Sequence, residues 1–340
     1  MKPFRMVLVV ILAGLILLLS IVLFGAVSGR ETVFDKYFGG FGAGGFGSAA
    51  LQNRVAIDAA DVKKLVIDYD GSACDVVFLP TDEKQIIVEE YLNRTMKKNQ
   101  TAKVEKSGDR LTVTQRYFKK PIFWFGFGYF TGYVKVYLPA EVFASLEELE
   151  CVAVSGDIEL TALEGPSAGR LNKTELSTVS GDIRMGFLES GQISLSTTSG
   201  NVEAPELLGE VRANTVSGKV ELGAVVGKVA AGTVSGALSI RSLDGEGHLS
   251  AVSGDVSVRS AKLTGDLNAE TTSGDVEIGL VADGSFRFVG GTVSGSIDTA
   301  TAYDGWIRYG KSGKSAEGDV GENPQYQVKI NTVSGNIKVK

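Results

Sequence analysis

The sequence contains one histidine, His248, and two cysteines, Cys74 and Cys151, among its 340 residues. A nucleophile needs a base held beside it, so a single histidine leaves little scope for Ser–His or Cys–His catalysis. The cysteine spacing fits no zinc or redox motif. Two interpretations of the cysteines stay open: a disulfide in an oxidising compartment, or two small buried apolar residues.

An excess of positive charge is also lacking. The chain has 34 Lys and Arg residues against 40 Asp and Glu residues, a net charge of −6, which indicates no surface for nucleic acid. The sequence shows no phosphate-binding loop, dinucleotide fingerprint or metal-ligand spacing, and its acidic residues are scattered rather than paired as in a glycosidase. We therefore predict a protein that is not an enzyme, with no cofactor, no metal and no nucleic-acid partner.

One long hydrophobic run is present near the N-terminus. Residues 7–27 carry no charge and no proline, and as a helix they would extend about 31 Å, the thickness of a membrane core. Lys2 and Arg5 precede the run, which favours a cytoplasmic N-terminus and an extracytoplasmic remainder. Residues 1–28 are therefore predicted to be a cytoplasmic stub and transmembrane anchor. The alternative is a signal peptide cleaved near Ala26.

A segment rich in glycine and phenylalanine, residues 29–54, follows the anchor. It is either a flexible tether or a segment that dips into the membrane interface. Residues 55–146 then show short β-strand patterns, interrupted by nine aromatics within residues 117–133. This aromatic stretch is either a cap on the fold or a contact surface for membrane or protein. The candidate contact residues are Phe123, Trp124, Phe125, Phe127, Tyr129 and Phe130.

A Ser-Gly pair recurs throughout residues 147–340, at intervals of 25, 19, 18, 18, 18, 20, 21 and 40 residues. The pairs are Ser155 and Gly156, Ser180 and Gly181, Ser199 and Gly200, Ser217 and Gly218, Ser235 and Gly236, Ser253 and Gly254, Ser273 and Gly274, Ser294 and Gly295, and Ser334 and Gly335. A fixed period of this length indicates a repeat architecture. The last interval spans two periods, which predicts a degenerate coil around residues 303–318.

Each repeat contains two short strands and two glycine turns. Apolar residues stand three and five positions after the serine, as in Val220 and Leu222, with a polar residue such as Glu221 between them. A second glycine stands eight positions before the serine in five units, and we expect glycine to supply the backbone angles of the corners. The pattern predicts an all-β solenoid of about nine or ten coils, about 45 Å long at the usual strand spacing. A sandwich of antiparallel hairpins is the alternative.

The repeated motifs, TVSGDI, TVSGKV, AVSGDV, TTSGDV and TVSGNI behind one hydrophobic span, resemble the "putative adhesin" family of β-strand-repeat bacterial proteins. That family includes membrane-anchored cell-wall-active antibiotic response proteins. The resemblance covers roughly residues 55–340 and implies a cell-envelope protein with a solenoid-like β fold. The aromatic stretch around Trp124 and the linker depart from the family motif.

The residue after each glycine is often acidic, which invites a calcium-binding interpretation. Lys219 and Ala237 interrupt the series, so polar residues that favour turns explain it better. We expect the serines to form a hydroxyl ladder at one corner and His248 to be a solvated strand residue.

Two functions remain in view. The first is a cell-surface binding or scaffold protein whose partner is a wall polymer or an envelope protein, with ligand contacts at exposed strand residues such as Arg184, Arg212, Lys228 and Arg241. The second is an accessory of the envelope stress response that acts through its aromatic stretch.

Overall fold

The computed structural model describes residues 49–70, 73–93, 95–97, 99–115, 131–161, 171–281 and 284–340. The predicted anchor at residues 7–27, most of the linker, and the candidate contact residues Phe123, Trp124, Phe125, Phe127, Tyr129 and Phe130 lie outside these ranges. No helix in the described ranges is long and apolar enough to cross a membrane.

The described residues form one all-β sheet of 23 strands, with one short α-helix, α1 (Ala140–Ser145), and one 3₁₀ helix (Thr301–Tyr303). The first eleven strands are β1 (Ala50–Asp58), β2 (Lys64–Tyr69), β3 (Ala73–Thr81), β4 (Gln85–Leu92), β5 (Lys103–Ser107), β6 (Arg110–Thr114), β7 (Thr131–Pro139), β8 (Glu148–Ala153), β9 (Ile158–Leu160), β10 (Leu171–Ser177) and β11 (Ile183–Met185). The others are β12 (Phe187–Ser196), β13 (Val202–Asn214), β14 (Val220–Ser235), β15 (Leu238–Ser253), β16 (Val256–Glu270), β17 (Val276–Leu280), β18 (Phe286–Gly291), β19 (Ile297–Thr299), β20 (Ile307–Tyr309), β21 (Ser315–Val320), β22 (Tyr326–Asn331) and β23 (Ile337–Val339).

The repeats stack as coils in parallel register. Val202 pairs with Val220, Val220 with Leu238, Leu238 with Val256, and Val256 with Val276. Each of these side chains is fully buried. Equivalent residues of successive repeats therefore lie one strand spacing apart, about 4.8 Å, and share one core. This confirms the solenoid-like stack and rules out the sandwich of hairpins.

One coil runs through three short segments before its Ser-Gly turn. In the coil of β14, Val220 and Leu222 face the core in the first segment, Val225 in the second, and Val229 in the third. The period-2 alternation breaks between Leu222 and Val225, and Gly227 follows with a φ of 123°. These irregularities let the chain turn around the shared core.

The C-terminal coil lies out of sequence order. Strands β22 and β23 insert between β16–β17 and β18–β19, so Ile337 pairs with both Val276 and Ile297. The prediction of a degenerate coil at residues 303–318 is wrong. The 3₁₀ helix ends where that segment begins, and strands β20 and β21 follow. Strand β21 pairs antiparallel with β18, β20 pairs antiparallel with β21, and together they end the stack.

The stack begins before the first Ser-Gly pair. Strand β2 pairs in parallel with β8, and β3 pairs in parallel with β7 and β9, so this region already forms coils. The antiparallel pairs β1–β4, β4–β7 and β5–β6 lie at this end. The bulkiest buried aromatics also belong to the end coils: Tyr69 and Phe78 at one end, Phe286 and Phe288 at the other. Both ends of the core are thus closed by atypical strands.

Candidate functional site

The glycine of each Ser-Gly pair lies where neighbouring coils approach most closely. A Cβ added to any of the nine glycines would lie 1.8 to 2.2 Å from the carbonyl oxygen of the residue stacked beside it, which is usually the next glycine of the column. None of the nine has a positive φ. The expectation that these glycines supply unusual backbone angles is therefore wrong: they are required because the turns stack too tightly for any side chain. Positive φ is found instead at Gly209 and Gly227 of the second glycine series.

The hydroxyl ladder of the corner is built from threonine rather than serine. All nine serines of the pairs have exposed side chains. In seven of the nine units the residue two positions earlier is a buried threonine, which donates a hydrogen bond of 2.8 to 3.1 Å to the glycine carbonyl of a neighbouring coil; Ala153 and Ala251 stand there in the other two. The donors are Thr178, Thr197, Thr215, Thr233, Thr271, Thr292 and Thr332. The prediction of a serine ladder identified the correct corner but the wrong residue.

Where an Asp or Asn follows the glycine, its side chain joins one coil to the next. The Asp182 backbone N–H donates to Asp157 Oδ1 at 2.9 Å, and the Asn201 N–H donates to Asp182 Oδ1 at 2.8 Å. The same contact recurs at five other steps, 2.7 to 3.1 Å long. These carboxylate and amide oxygens satisfy backbone donors of the turn, which agrees with the turn-forming role predicted for them.

The remaining reactive side chains do not form a site with one another. Cys74 and Cys151 are fully buried and no disulfide joins them, and burial raises the pKa of the Cys151 thiol. They behave as small apolar residues rather than as a disulfide. His248 is exposed on β15, where its neighbours in register are Ala230 and Asn268. The structure places it as the solvated strand residue that the sequence predicted.

An open groove runs along the outer face of the first coil segment. It has a volume of about 690 Å³ and crosses β11, β13, β14, β15, β16 and β17, ending at Lys340. At about 4.8 Å per strand its length is about 29 Å. Pro205, Gly223 and Gly279, which have no long side chain, line part of the groove. A long, shallow, polar groove of this kind suits an extended partner rather than a compact small molecule.

Charges in the groove are segregated by coil. Glu203 pairs in register with Glu221, and this acidic half is followed by Ser239 and Ser257 in the same row. Arg241 and Arg259 stand side by side in a second outward row, two residues further along each strand, because Ile240 pairs with Val258 and Ser242 with Ser260. In the described part of the chain, neither arginine makes a side-chain hydrogen bond or ion pair. The groove therefore presents two uncompensated guanidinium groups beside two hydroxyls.

Both ends of the groove are neutralised by the protein itself. Arg184 contacts Asp157 at 2.7 Å and Asp182 at 2.5 Å, and the hydrogen bond to Asp157 is the chief cause of its raised pKa. Lys340 forms an ion pair with Glu277 at the other end. The free charges are thus confined to the middle of the groove.

Only two of the four predicted contact residues line the groove. Arg184 and Arg241 do so, whereas Arg212 and Lys228 lie on the third coil segment. Arg212 pairs with Glu210, and Lys228 pairs with Glu246 at 2.9 Å. Sequence reasoning missed Arg259, although its place one repeat after Arg241, six residues beyond the serine, was a readable signal.

A second polar–aromatic surface lies on the strands next to the predicted aromatic contact. Tyr91 of β4 stacks on Tyr133 of β7, with ring centroids 4.6 Å apart, and the Lys135 ammonium lies 5.3 and 5.6 Å from the two centroids. The Tyr91 hydroxyl donates to Glu89 at 2.8 Å. This hydrogen bond and partial burial raise the pKa of Tyr91 to about 12.

Several solved structures are similar to this chain. A protein described as a putative adhesin from Bacteroides fragilis is 12% identical, with 87% of this chain and 100% of that chain covered and a TM-score of 0.37. A protein described as a putative adhesin from Parabacteroides merdae is 13% identical, with 87% and 98% covered and a TM-score of 0.36. A protein described as a putative lipid binding protein from Parabacteroides distasonis is 16% identical, with 85% and 96% covered and a TM-score of 0.41.

No curated protein matches the sequence. The family comparison is decisive instead, because its match covers residues 62–340, the whole stack from the loop before β2 to the C-terminal coil. The matched residues include all of the stacked β-strand repeats described above, and the chain belongs to the Toastrack DUF4097 family.

Proposed function

We propose that the protein is a non-enzymatic, adhesin-like binding protein of the bacterial cell envelope, held at the membrane by residues 7–27. The observation that carries the proposal is the open groove with its uncompensated Arg241 and Arg259. In the turn corner, by contrast, threonine hydroxyl and carboxylate groups already have partners in neighbouring coils. The groove has guanidinium and hydroxyl groups that another molecule could bind.

The membrane anchor and the envelope location rest on the sequence. The uncharged run at residues 7–27 has the length of a membrane span, and the repeats resemble those of envelope proteins. Anchoring one end of a stacked rod would hold the groove away from the bilayer, where a wall polymer or an envelope protein could reach it.

The test is to fill the groove without unfolding the rod. Ser257→Trp places a bulky side chain in the groove beside Arg259, on the same strand. Ser250→Trp is the matched control, because Ser250 is a half-buried outward residue of the neighbouring coil on another segment. We expect full-length protein with Ser257→Trp to lose cosedimentation with purified cell wall, while Ser250→Trp binds as the parent does. Equal binding of both variants at equal melting temperature would reject the groove as the binding surface.

A second candidate function is an envelope-stress accessory that contacts the membrane or a sensor through residues 117–133. The stacked Tyr91 and Tyr133 with Lys135 favour it, since aromatic rings beside a cation suit a headgroup region. In a Trp306→Phe background, Trp124 is the remaining tryptophan. Quenching of its fluorescence by brominated lipid in proteoliposomes would support membrane contact, and unquenched emission would oppose it.

A further inference from the structure

We infer that the middle of the groove binds an oxyanion, carboxylate or phosphate, carried on a hydroxylated polymer chain such as an acidic polysaccharide or a polyol phosphate. The inference rests on the proposed function and names the chemistry of its ligand. The residues that carry it are Ser239, Arg241, Ser257 and Arg259.

The arginine pair points to an anion. Arg241 and Arg259 occupy one register position of adjacent strands, about 4.8 Å apart at the backbone, and like charges placed directly opposite destabilise a sheet. Arg212 and Arg287 each form an ion pair with a carboxylate of their own chain, whereas Arg241 and Arg259 form none with any residue that the structure describes. Guanidinium groups bind carboxylate and phosphate groups through paired hydrogen bonds, so an oxyanion from outside would remove the repulsion and gain strong contacts.

The serines complete the binding geometry. Ser239 and Ser257 stand two residues before Arg241 and Arg259 and face outward on the same strands, β15 and β16. Their hydroxyls can donate to an oxyanion that bridges the two strands. In the other outward row of the groove, the positions before and after the arginine pair are Gly223 and Gly279, which leave the approach open on both sides.

The acidic half limits the kind of polymer. Glu203 and Glu221 lie in the two coils before the arginine coils, about 10 Å from one pair to the other along the stack. A polymer with closely spaced negative charges would be repelled there. A chain that carries hydroxyl or amine donors between well-separated anionic groups would satisfy both halves. No aromatic residue lines the groove in the described part of the chain, so recognition depends on hydrogen bonds and charge rather than on ring stacking.

The experiment uses the full-length protein and three defined probes. Hyaluronan hexasaccharide supplies carboxylates, a glycerol phosphate oligomer supplies phosphates, and chitin hexasaccharide is a neutral control. Affinities are measured by calorimetry for the parent, for Arg241→Gln with Arg259→Gln, and for the charge-matched control Arg212→Gln with Arg287→Gln. Melting temperature and wall cosedimentation are recorded for each protein.

We expect at least one charged probe to bind the parent and the neutral probe not to bind. Which charged probe binds identifies the carboxylate or the phosphate as the recognised group. The groove variant should lose about tenfold or more in affinity, and the control should stay within about twofold. Arg241→Lys with Arg259→Lys should lose several-fold, because lysine keeps the charge but not the paired hydrogen bonds.

Two results would overturn the inference. In the first, a charged probe binds the groove variant as tightly as the parent. In the second, neither charged probe binds the parent although purified cell wall does, in which case the proposed function stands and the oxyanion assignment fails. Failure of the parent to bind cell wall at all would instead reject the proposed function.

Discussion

Replacing one turn glycine, Gly236, by alanine tests the stacking of the corner. The added Cβ would lie 1.9 Å from the Gly218 carbonyl oxygen, whereas real Cβ atoms keep at least about 3.0 Å from such atoms. The two coils would therefore have to separate locally by more than about 1 Å. The movement breaks the hydrogen bonds from Ser235 N to Val216 O, at 2.8 Å, and from Thr233 Oγ1 to Gly218 O, at 3.0 Å.

Each lost hydrogen bond costs about 0.5 to 1.5 kcal/mol, and up to about 3 kcal/mol where a buried group is left unpaired. With the neighbouring Val220 N–H bond, the total is about 3 to 5 kcal/mol. At about 2 °C per kcal/mol for a chain of this size, we expect the melting temperature to fall by roughly 6 to 10 °C.

The matched control is Gly108→Ala, at a turn with a φ of 62° and nothing within 4 Å of the added Cβ. Only backbone strain acts there, about 1 kcal/mol or a little more. Differential scanning calorimetry on both variants gives the comparison. If Gly236→Ala melted within a degree of the parent, or Gly108→Ala were the more damaging change, the close-approach explanation of the glycine column would be refuted.

Four further predictions follow from the same structure. Thr215→Val should lower the free energy of unfolding by about 1 to 2 kcal/mol, since it removes the hydrogen bond to Gly200 O, whereas Ser217→Ala should change it by less than about 0.5 kcal/mol. Denaturant titration compares the two variants, and a larger loss for Ser217→Ala would favour a ladder of serine hydroxyls. Val256→Asp should cost more than about 4 kcal/mol, because it buries a charge at a position shared by three coils; an unchanged melting curve would contradict the inward assignment. Cys74 and Cys151 should resist a thiol reagent until the protein unfolds, and rapid labelling of the native protein would contradict their burial. The Tyr91 phenol should ionise near pH 12. Because its folded pKa exceeds the unfolded value, its contribution to stability is complete below about pH 10 and is lost as the pH rises through 12. Since the hydrogen bond to Glu89 is the chief cause of the raised pKa, Glu89→Gln should move the phenolate absorbance change toward pH 10.

The interior of the repeats was predictable from sequence because it depends on spacing alone. Period-2 alternation after each serine assigned Val256 and Val276 to the core, and the constant interval between units predicted parallel stacking. The order of the last coils was not predictable. An interval of 40 residues between Ser294 and Ser334 is equally compatible with stacking in sequence order and with insertion of the final coil between earlier ones.

The candidate site was only partly readable for a related reason. Exposed strand residues are visible in the alternation, but whether an arginine is paired depends on which carboxylate lies within reach in three dimensions. Arg212 and Arg241 look alike in sequence, yet Arg212 has Glu210 on its own strand, and Arg241 has no carboxylate in contact within the described ranges. Likewise, serine and threonine each recur at a fixed position of the repeat, as Ser217 and Thr215 do. Only the direction of each side chain decides which hydroxyl donates a hydrogen bond to the turn of the neighbouring coil.

The central claim is that the groove face of the stacked coils is the binding face. Carbodiimide labelling of carboxylates, read by mass spectrometry with and without purified cell wall, tests it directly. Glu203 and Glu221 report on the groove, and Glu210 and Glu246 report on the third coil segment of the same region of the stack. We predict that bound wall material protects Glu203 and Glu221 and leaves Glu210 and Glu246 as reactive as before. Protection of Glu210 and Glu246 with unchanged labelling of the groove pair would contradict the claim.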